Sequence, residues 1–152
     1  MLGIAVSAAL ATAAVALYLV LVRDESEPAR GELIAYSCKE PKNPWWAICT
    51  IRTDGTETRR LTKHLLTSDP AWSPDGRKIA FASNRRSHGY QIFVMDADGA
   101  NVRLIANTEG RGTAPRWSPD GKMMYFTNCV EKDYGTDCEI LMVRSEPQPI
   151  GK

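Results

Sequence analysis

The chain has 152 residues, of which 43% are hydrophobic and 24% charged, and this composition is typical of one globular domain, with or without an appendage. Its 19 Lys and Arg residues nearly balance its 18 Asp and Glu residues. Charge therefore gives no reason to expect DNA, RNA or an acidic surface as a partner.

The first predicted element is a transmembrane helix over residues 1–22, where no charged side chain occurs. A helix of this length spans about 33 Å, and a bilayer core measures about 30 Å. A cleaved signal peptide and a buried helix of a soluble domain are the alternatives. The signal peptide would need a basic start and a small-residue cleavage site, and the soluble helix would need a polar face. We therefore expect an uncleaved anchor, followed by a linker over residues 23–31.

Four cysteines form two local pairs, Cys38 with Cys49 and Cys129 with Cys138. Neither pair has the C-x-x-C spacing of a zinc or redox site, and no zinc site is expected. We expect two disulfides, each in one β-hairpin, and an oxidising compartment, with four buried thiols as the alternative. When the hairpins are aligned, Cys38 and Cys129 fall at adjacent strand positions. They should therefore face opposite sides of their sheets, and at least one bridge should need a bulge or an irregular loop.

The side of the membrane on which the C-terminal domain lies is predicted mainly from these cysteines. Arg23, just after the apolar segment, weakly favours a cytoplasmic C-terminal side, but disulfides favour the opposite side. We expect a single-pass protein of the inner (cytoplasmic) membrane, with its C-terminal domain in the periplasm or outside.

An internal repeat with a period of about 45 residues occupies most of the remaining chain. One copy, DPAWSPDGRKIAFA, starts at Asp69, and another, TAPRWSPDGKMMYFT, starts at Thr113. A second shared segment reads WAICTIRTDG from Trp46 and YQIFVMDADG from Tyr90. Each copy alternates strand-like runs with Pro-Asp-Gly and Asp-Gly turns. The order of four strands in about 45 residues predicts one blade of a β-propeller.

These segments resemble the TolB-type, WD-like propeller repeat. The resemblance covers roughly residues 32–145 and implies an all-β domain, in which the motif tryptophans pack between blades and the turn residues are structural. The residues that carry it are Trp72, Pro74, Asp75, Gly76, Asp98, Gly99, Trp117, Pro119, Asp120 and Gly121. Nothing catalytic is carried over from the family, because its repeats occur in proteins of many functions.

The strand count predicts an incomplete β-propeller of two to three four-stranded antiparallel blades, preceded by the transmembrane helix. Closed propellers usually have about four to eight blades. The chain ends in a predicted extended tail over residues 146–152. Uncovered blade faces and sheet edges invite contacts, so we expect another protein or further copies of this chain to cover them.

Polar and aromatic residues in the loops at one end of the blades form a candidate interface. These residues are Trp45, Trp46, Arg85, Arg86 and His88. Adjacent strand residues point to opposite faces, so one of the two adjacent tryptophan rings is expected to be exposed. The carboxylates Glu131, Asp133 and Asp137 are expected in a solvated hairpin loop.

No motif of an active site occurs in the chain. It has no G-x-S-x-G, no P-loop and no G-x-G-x-x-G, and the Asp96–Asn101 segment fits a tight turn better than a calcium loop. We therefore expect no enzyme activity, no cofactor and no metal. The expected function is a membrane-anchored interaction subunit of a larger bacterial membrane or envelope complex. The alternatives are a ligand- or peptide-binding propeller completed by homo-oligomerisation, and a piece of a longer propeller.

Overall fold

The computed structural model describes residues 32–39, 45–63, 66–85 and 89–146. The predicted transmembrane helix and linker lie outside these residues, as do Arg86, His88 and the tail from residue 147. Within the described part of the chain, no helix is long and apolar enough to cross a membrane.

The described residues form three antiparallel sheets, which we call blades 1, 2 and 3 in chain order. Blade 1 contains β1 (Leu33–Cys38), β2 (Ala47–Arg52) and β3 (Arg59–Arg60). Blade 2 contains β4 (Thr67–Trp72), β5 (Lys78–Ser83), β6 (Gln91–Asp96) and β7 (Arg103–Ala106). Blade 3 contains β8 (Arg111–Trp117), β9 (Met123–Lys132) and β10 (Gly135–Arg144). The all-β prediction is confirmed, but only blade 2 has four strands among the described residues.

Blade 2 buries both of its faces, because successive strand residues point to opposite sides of a sheet. The apolar cluster between blades 2 and 3 contains Ala80, Ala82, Ile92, Val94, Ala106, Met124 and Phe126. The cluster between blades 1 and 2 contains Ile48, Ile79, Phe81, Phe93 and Met95. Even-numbered residues of β5 and β6 thus face blade 3, and odd-numbered residues face blade 1.

The predicted Pro-Asp-Gly turn is present in both copies of the motif. In the first, the Gly76 amide donates to the Ser73 carbonyl at 2.9 Å, and the Ser73 hydroxyl donates to the Asp75 carboxylate at 2.6 Å. Gly76 has a φ of 68°, a conformation that favours glycine. In the second copy, the Ser118 hydroxyl donates to Asp120 at 2.6 Å and holds the pKa of that carboxyl below its ordinary value.

A bulge in β4 and another in β8 direct the motif tryptophan at the end of each strand toward the preceding blade. The register of β4 shifts at Asp69 and that of β8 at Ala114, and both residues have positive φ. As a result, the Trp117 indole N–H donates to the Ala71 carbonyl of β4 at 3.0 Å. The Trp72 indole nitrogen is buried against blade 1 but has no hydrogen-bond partner among the described residues.

Both predicted disulfides are present, and each lies on the face of an end blade that is turned away from blade 2. They therefore face opposite sides of the array, as the sequence alignment predicted. The expected bulge is absent, since the strand pairing is continuous at both bridges, and residues 40–44 of the loop between Cys38 and Cys49 lie outside the described residues. Cys129 lies directly opposite Cys138, whereas Cys38 pairs with Ala47 and reaches Cys49 diagonally. Direct and diagonal neighbours can both be bridged in a regular ladder.

The two motif tryptophans should differ in their response to phenylalanine, which retains an aromatic ring but lacks the indole N–H. We expect Trp117→Phe to lower the free energy of unfolding by about 1 kcal/mol more than Trp72→Phe, because only the first loses a hydrogen bond. Chemical denaturation of both variants measures the difference. Equal losses would show that the bond to Ala71 contributes nothing.

Intact-mass measurement under native and reducing conditions should show four thiols appearing only after reduction. Replacing either cysteine pair by serines should lower the free energy of unfolding by about 2–3 kcal/mol, because each bridge restricts a short loop of the unfolded chain. Four free thiols in native material would contradict the assignment and the oxidising compartment inferred from it.

Candidate functional site

The connections β1–β2, β5–β6 and β9–β10 leave their sheets at the same end, which we call the loop rim. Two contacts between blades lie at this end. The Thr67 amide and hydroxyl donate to the Trp46 carbonyl at 3.3 and 3.2 Å, and the Gly112 amide donates to the Tyr90 carbonyl at 2.7 Å. These bonds join the rim ends of neighbouring blades.

Trp45 and Trp46 expose large apolar surfaces on the loop rim. Their side chains are 44% and 46% exposed, so both rings reach solvent, whereas the sequence favoured one. The carbonyl of Trp46 is held by Thr67, which ties this connection to blade 2. Exposed tryptophans on a fixed backbone suit a protein interface, where such rings often act as anchors.

Arg85 lies against the core rather than projecting from the rim. Its guanidinium carbon is 5.2 Å from the ring centre of Phe81 and 4.8 Å from that of Phe93. Partial burial lowers the pKa of Arg85 below its ordinary value. The side chain closes the rim end of the cluster between blades 1 and 2, a structural role that the sequence could not reveal because Phe81 and Phe93 meet Arg85 only in the folded sheet.

Blade 3 extends beyond the other blades as a two-stranded hairpin. Strands β9 and β10 each have ten residues, against six in β5 and β6, and a two-residue turn at Asp133 and Tyr134 joins them. The prediction of a hairpin loop was wrong for Glu131 and Asp137, which belong to paired strands, whereas Asp133 lies in the turn and all three carboxylates are exposed as expected. Strand β8 pairs with β9 only as far as Cys129, so residues 130–138 project freely, and we call them the finger.

The finger is fastened at its base and along its length. The Cys129–Cys138 bridge lies at the position where β8 begins, because Arg111, the first residue of β8, pairs with Cys129. Farther out, the Lys132 ammonium lies 2.6 Å from the Asp137 carboxylate, which raises the pKa of the lysine and lowers the pKa of the carboxyl. At the tip, the Tyr134 side chain is fully exposed. This arrangement presents a tyrosine and a sheet edge on a rigid support.

The described part of the chain contains no group of three or more His, Cys, Asp or Glu side chains that could hold a metal ion. The turn residues Ser73 and Asp120 line a depression at the opposite end of the blades, but their polar groups are engaged in the turns. The surface features that could engage another molecule are therefore the loop rim, the finger and the uncovered blade faces.

The family model of the TolB beta propeller domain matches residues 26–133, which is more than half of the chain. The match agrees with the repeated turns, the three sheets and the tryptophan between blades 2 and 3. The chain therefore belongs to the TolB β-propeller domain family.

Individual relatives match shorter parts of the chain. The Tol-Pal system protein TolB of Geobacter sulfurreducens is 44% identical over 72 residues, which cover 47% of this chain and 16% of that protein. The uncharacterized peptidase YuxL of Bacillus subtilis is 38% identical over 60 residues, covering 40% of this chain and 9% of that protein. The crystal structure of TolB from Acinetobacter baumannii superposes with a TM-score of 0.64 and 26% identity, over 95% of this chain and 36% of that chain. This chain thus spans only a minor part of these proteins.

Removing the Arg85 side chain should destabilise the fold, because it uncovers the rings of Phe81 and Phe93. We expect Arg85→Ala to lower the free energy of unfolding by about 1 kcal/mol. The matched control is Arg77→Ala at an exposed turn, where the change should be within about 0.5 kcal/mol. Denaturant titration gives the free energy of unfolding of each variant. Equal values for the two variants would show that Arg85 does not shield the rings of Phe81 and Phe93.

Proposed function

We propose that this protein is a non-catalytic, extracytoplasmic interaction subunit, anchored through residues 1–22, that docks through its blades on a larger bacterial membrane or envelope protein complex. The observation that carries the proposal is the apolar outer face of blade 3. On it, Tyr125, Ile140 and Met142 are 39%, 77% and 58% exposed. Contiguous apolar side chains on a sheet face are typical of a surface that another protein covers.

Three further features support this proposal. The loop rim exposes Trp45 and Trp46, and the disulfides agree with an oxidising compartment. The Geobacter relative is named as a protein of the Tol-Pal system.

A second candidate is a propeller completed by other copies of this chain or by further blades of a longer polypeptide, with a ligand or peptide at its axis. The observation favouring it is the number of blades. Three sheets are described, whereas closed propellers have about four to eight. The two candidates differ in what covers blade 3, namely an unrelated subunit or another TolB-type blade.

Gentle solubilisation of the full chain from its own membranes, followed by size-exclusion chromatography with light scattering and mass spectrometry, tests the proposal. We expect a particle heavier than one chain that contains at least one unrelated membrane or envelope protein. A ring of identical chains, or a lone polypeptide longer than these 152 residues, would support the second candidate instead, and a stable, well-folded monomer of 152 residues would contradict both.

The docking face should be separable from the fold by substitution. The double variant Ile140→Ser and Met142→Ser should reduce co-purification of the unrelated protein by roughly tenfold, because both side chains are exposed and contribute little to the core. The control is Val102→Ser. Val102 is also apolar and exposed, but it lies in blade 2 at the end away from the loop rim, so its replacement should leave co-purification unchanged.

A further inference from the structure

Strand β10 has an open edge that no neighbouring strand in the described residues covers. It pairs with β9 on one side only, whereas its counterpart β6 lies between β5 and β7. In blade 2, β7 pairs only with the stretch from Ile92 to Val94. If blade 3 had a fourth strand like β7, that strand would cover only the equivalent stretch of β10.

The counterpart of that covered stretch in β10 is Ile140 to Met142. This follows from the pairing of Asp96 with Lys78 and of Arg144 with Met123, since Lys78 and Met123 occupy the same position of the repeat. The stretch Gly135 to Glu139 therefore extends past the place of a fourth strand. It would remain an open edge in a complete blade as well.

Two observations show which backbone groups of β10 point to the open side. The directly paired Cys129 and Cys138 have Cα atoms 4.1 Å apart, as in a pair without mutual hydrogen bonds. Farther along the ladder, the Ser145 amide donates to the Lys122 carbonyl at 3.0 Å. Odd-numbered residues therefore bond to β9, and the N–H and C=O groups of Thr136, Cys138, Ile140 and Met142 face outward.

From Gly135 to Met142, this edge lacks three of the features by which proteins protect edge strands, namely proline, lysine and a bulge, and its charged residues, Asp137 and Glu139, are both acidic. All residues from Gly135 to Ile140 are exposed. The disulfide and the Lys132–Asp137 pair hold the edge extended before any partner arrives, which reduces the entropic cost of binding.

The charge of the finger and its base selects the kind of partner. Residues 130–139 carry four carboxylates against one lysine, and that lysine is paired with Asp137. Glu131, Asp133 and Glu139 thus leave excess negative charge beside the edge. The next residues on the edge, Ile140 and Met142, are apolar and exposed.

We propose that the open edge of β10 receives an extended segment of a partner protein as an added β-strand, and that this segment carries Lys or Arg side chains beside the finger and apolar side chains beside Ile140 and Met142. The inference rests on the proposed function and specifies its docking mode. Backbone hydrogen bonds to Thr136 and Cys138 supply affinity, and the flanking carboxylates supply selectivity for a basic segment.

The test uses the full chain in detergent micelles and a capped synthetic peptide that alternates lysine and valine. On addition of the peptide, NMR should show saturable shifts of the Thr136 and Cys138 amides. A peptide of the same sequence with N-methylated valines should bind at least about fivefold more weakly, because it cannot form the strand ladder. Equal binding of both peptides, or no saturable shift, would overturn the proposal.

Two matched pairs of variants separate the backbone and charge contributions. Thr136→Pro removes an outward N–H and should weaken peptide binding about fivefold, whereas Thr136→Ala keeps that N–H and should change binding less than twofold. Amide spectra of β9 report whether the proline variant retains the hairpin. Glu139→Lys should weaken binding about fivefold, and Glu109→Lys, an exposed glutamate outside the finger, should not.

These outcomes are distinguishable from failure of the proposed function. If the chain co-purifies with an unrelated protein but the lysine–valine peptide does not bind, docking occurs through the blade faces and the edge inference is wrong. If the peptide binds as expected but the chain is isolated as a lone monomer, the edge accepts strands and the proposed subunit role is wrong.

Discussion

The fold depends on the burial of both faces of each blade. A sheet with two apolar faces is stable in water only when a neighbour covers each side, and blade 2 meets this condition through the alternation of residues along β5 and β6. The end blades have one such neighbour each among the described residues. Their outer faces carry the two disulfides, so covalent bonds lie where packing against blade 2 is absent. Terminal units of repeat proteins generally need some such adaptation.

The repeat made most of the architecture predictable. Turn positions at Ser73–Gly76 and Asp98–Gly99 determine where strands reverse, and in the structure β5 begins just after the first turn and β6 ends just before the second. The finger was missed because the acidic and polar residues around Asp133 are also typical of a loop. One signal could have revealed it: a direct cross-strand bridge between Cys129 and Cys138 requires the turn at their midpoint, which is where Asp133 and Tyr134 lie.

The candidate site was only partly predictable, for a physical reason. Trp45 and Trp46 could be placed on a rim from their position between two strands, but the packing of Arg85 on Phe81 and Phe93 depends on contacts made only in the folded sheet. Likewise, the outward direction of the β10 amides follows from the pairing register and not from residue type. Both features depend on which strands pair and in what register, and the sequence revealed this only for the two cysteine pairs.

The bond from Trp117 to Ala71 gives the array a direction. The acceptor precedes the donor by 46 residues along the chain, so it leaves the ribosome first. Blade 3 can therefore bond through Trp117 to a strand of blade 2 that has already been made, whereas the Arg103 guanidinium of blade 2 bonds to the Ser145 carbonyl only after blade 3 follows. The tryptophan bond thus follows the order of synthesis, in which repeats are added from the N-terminal end.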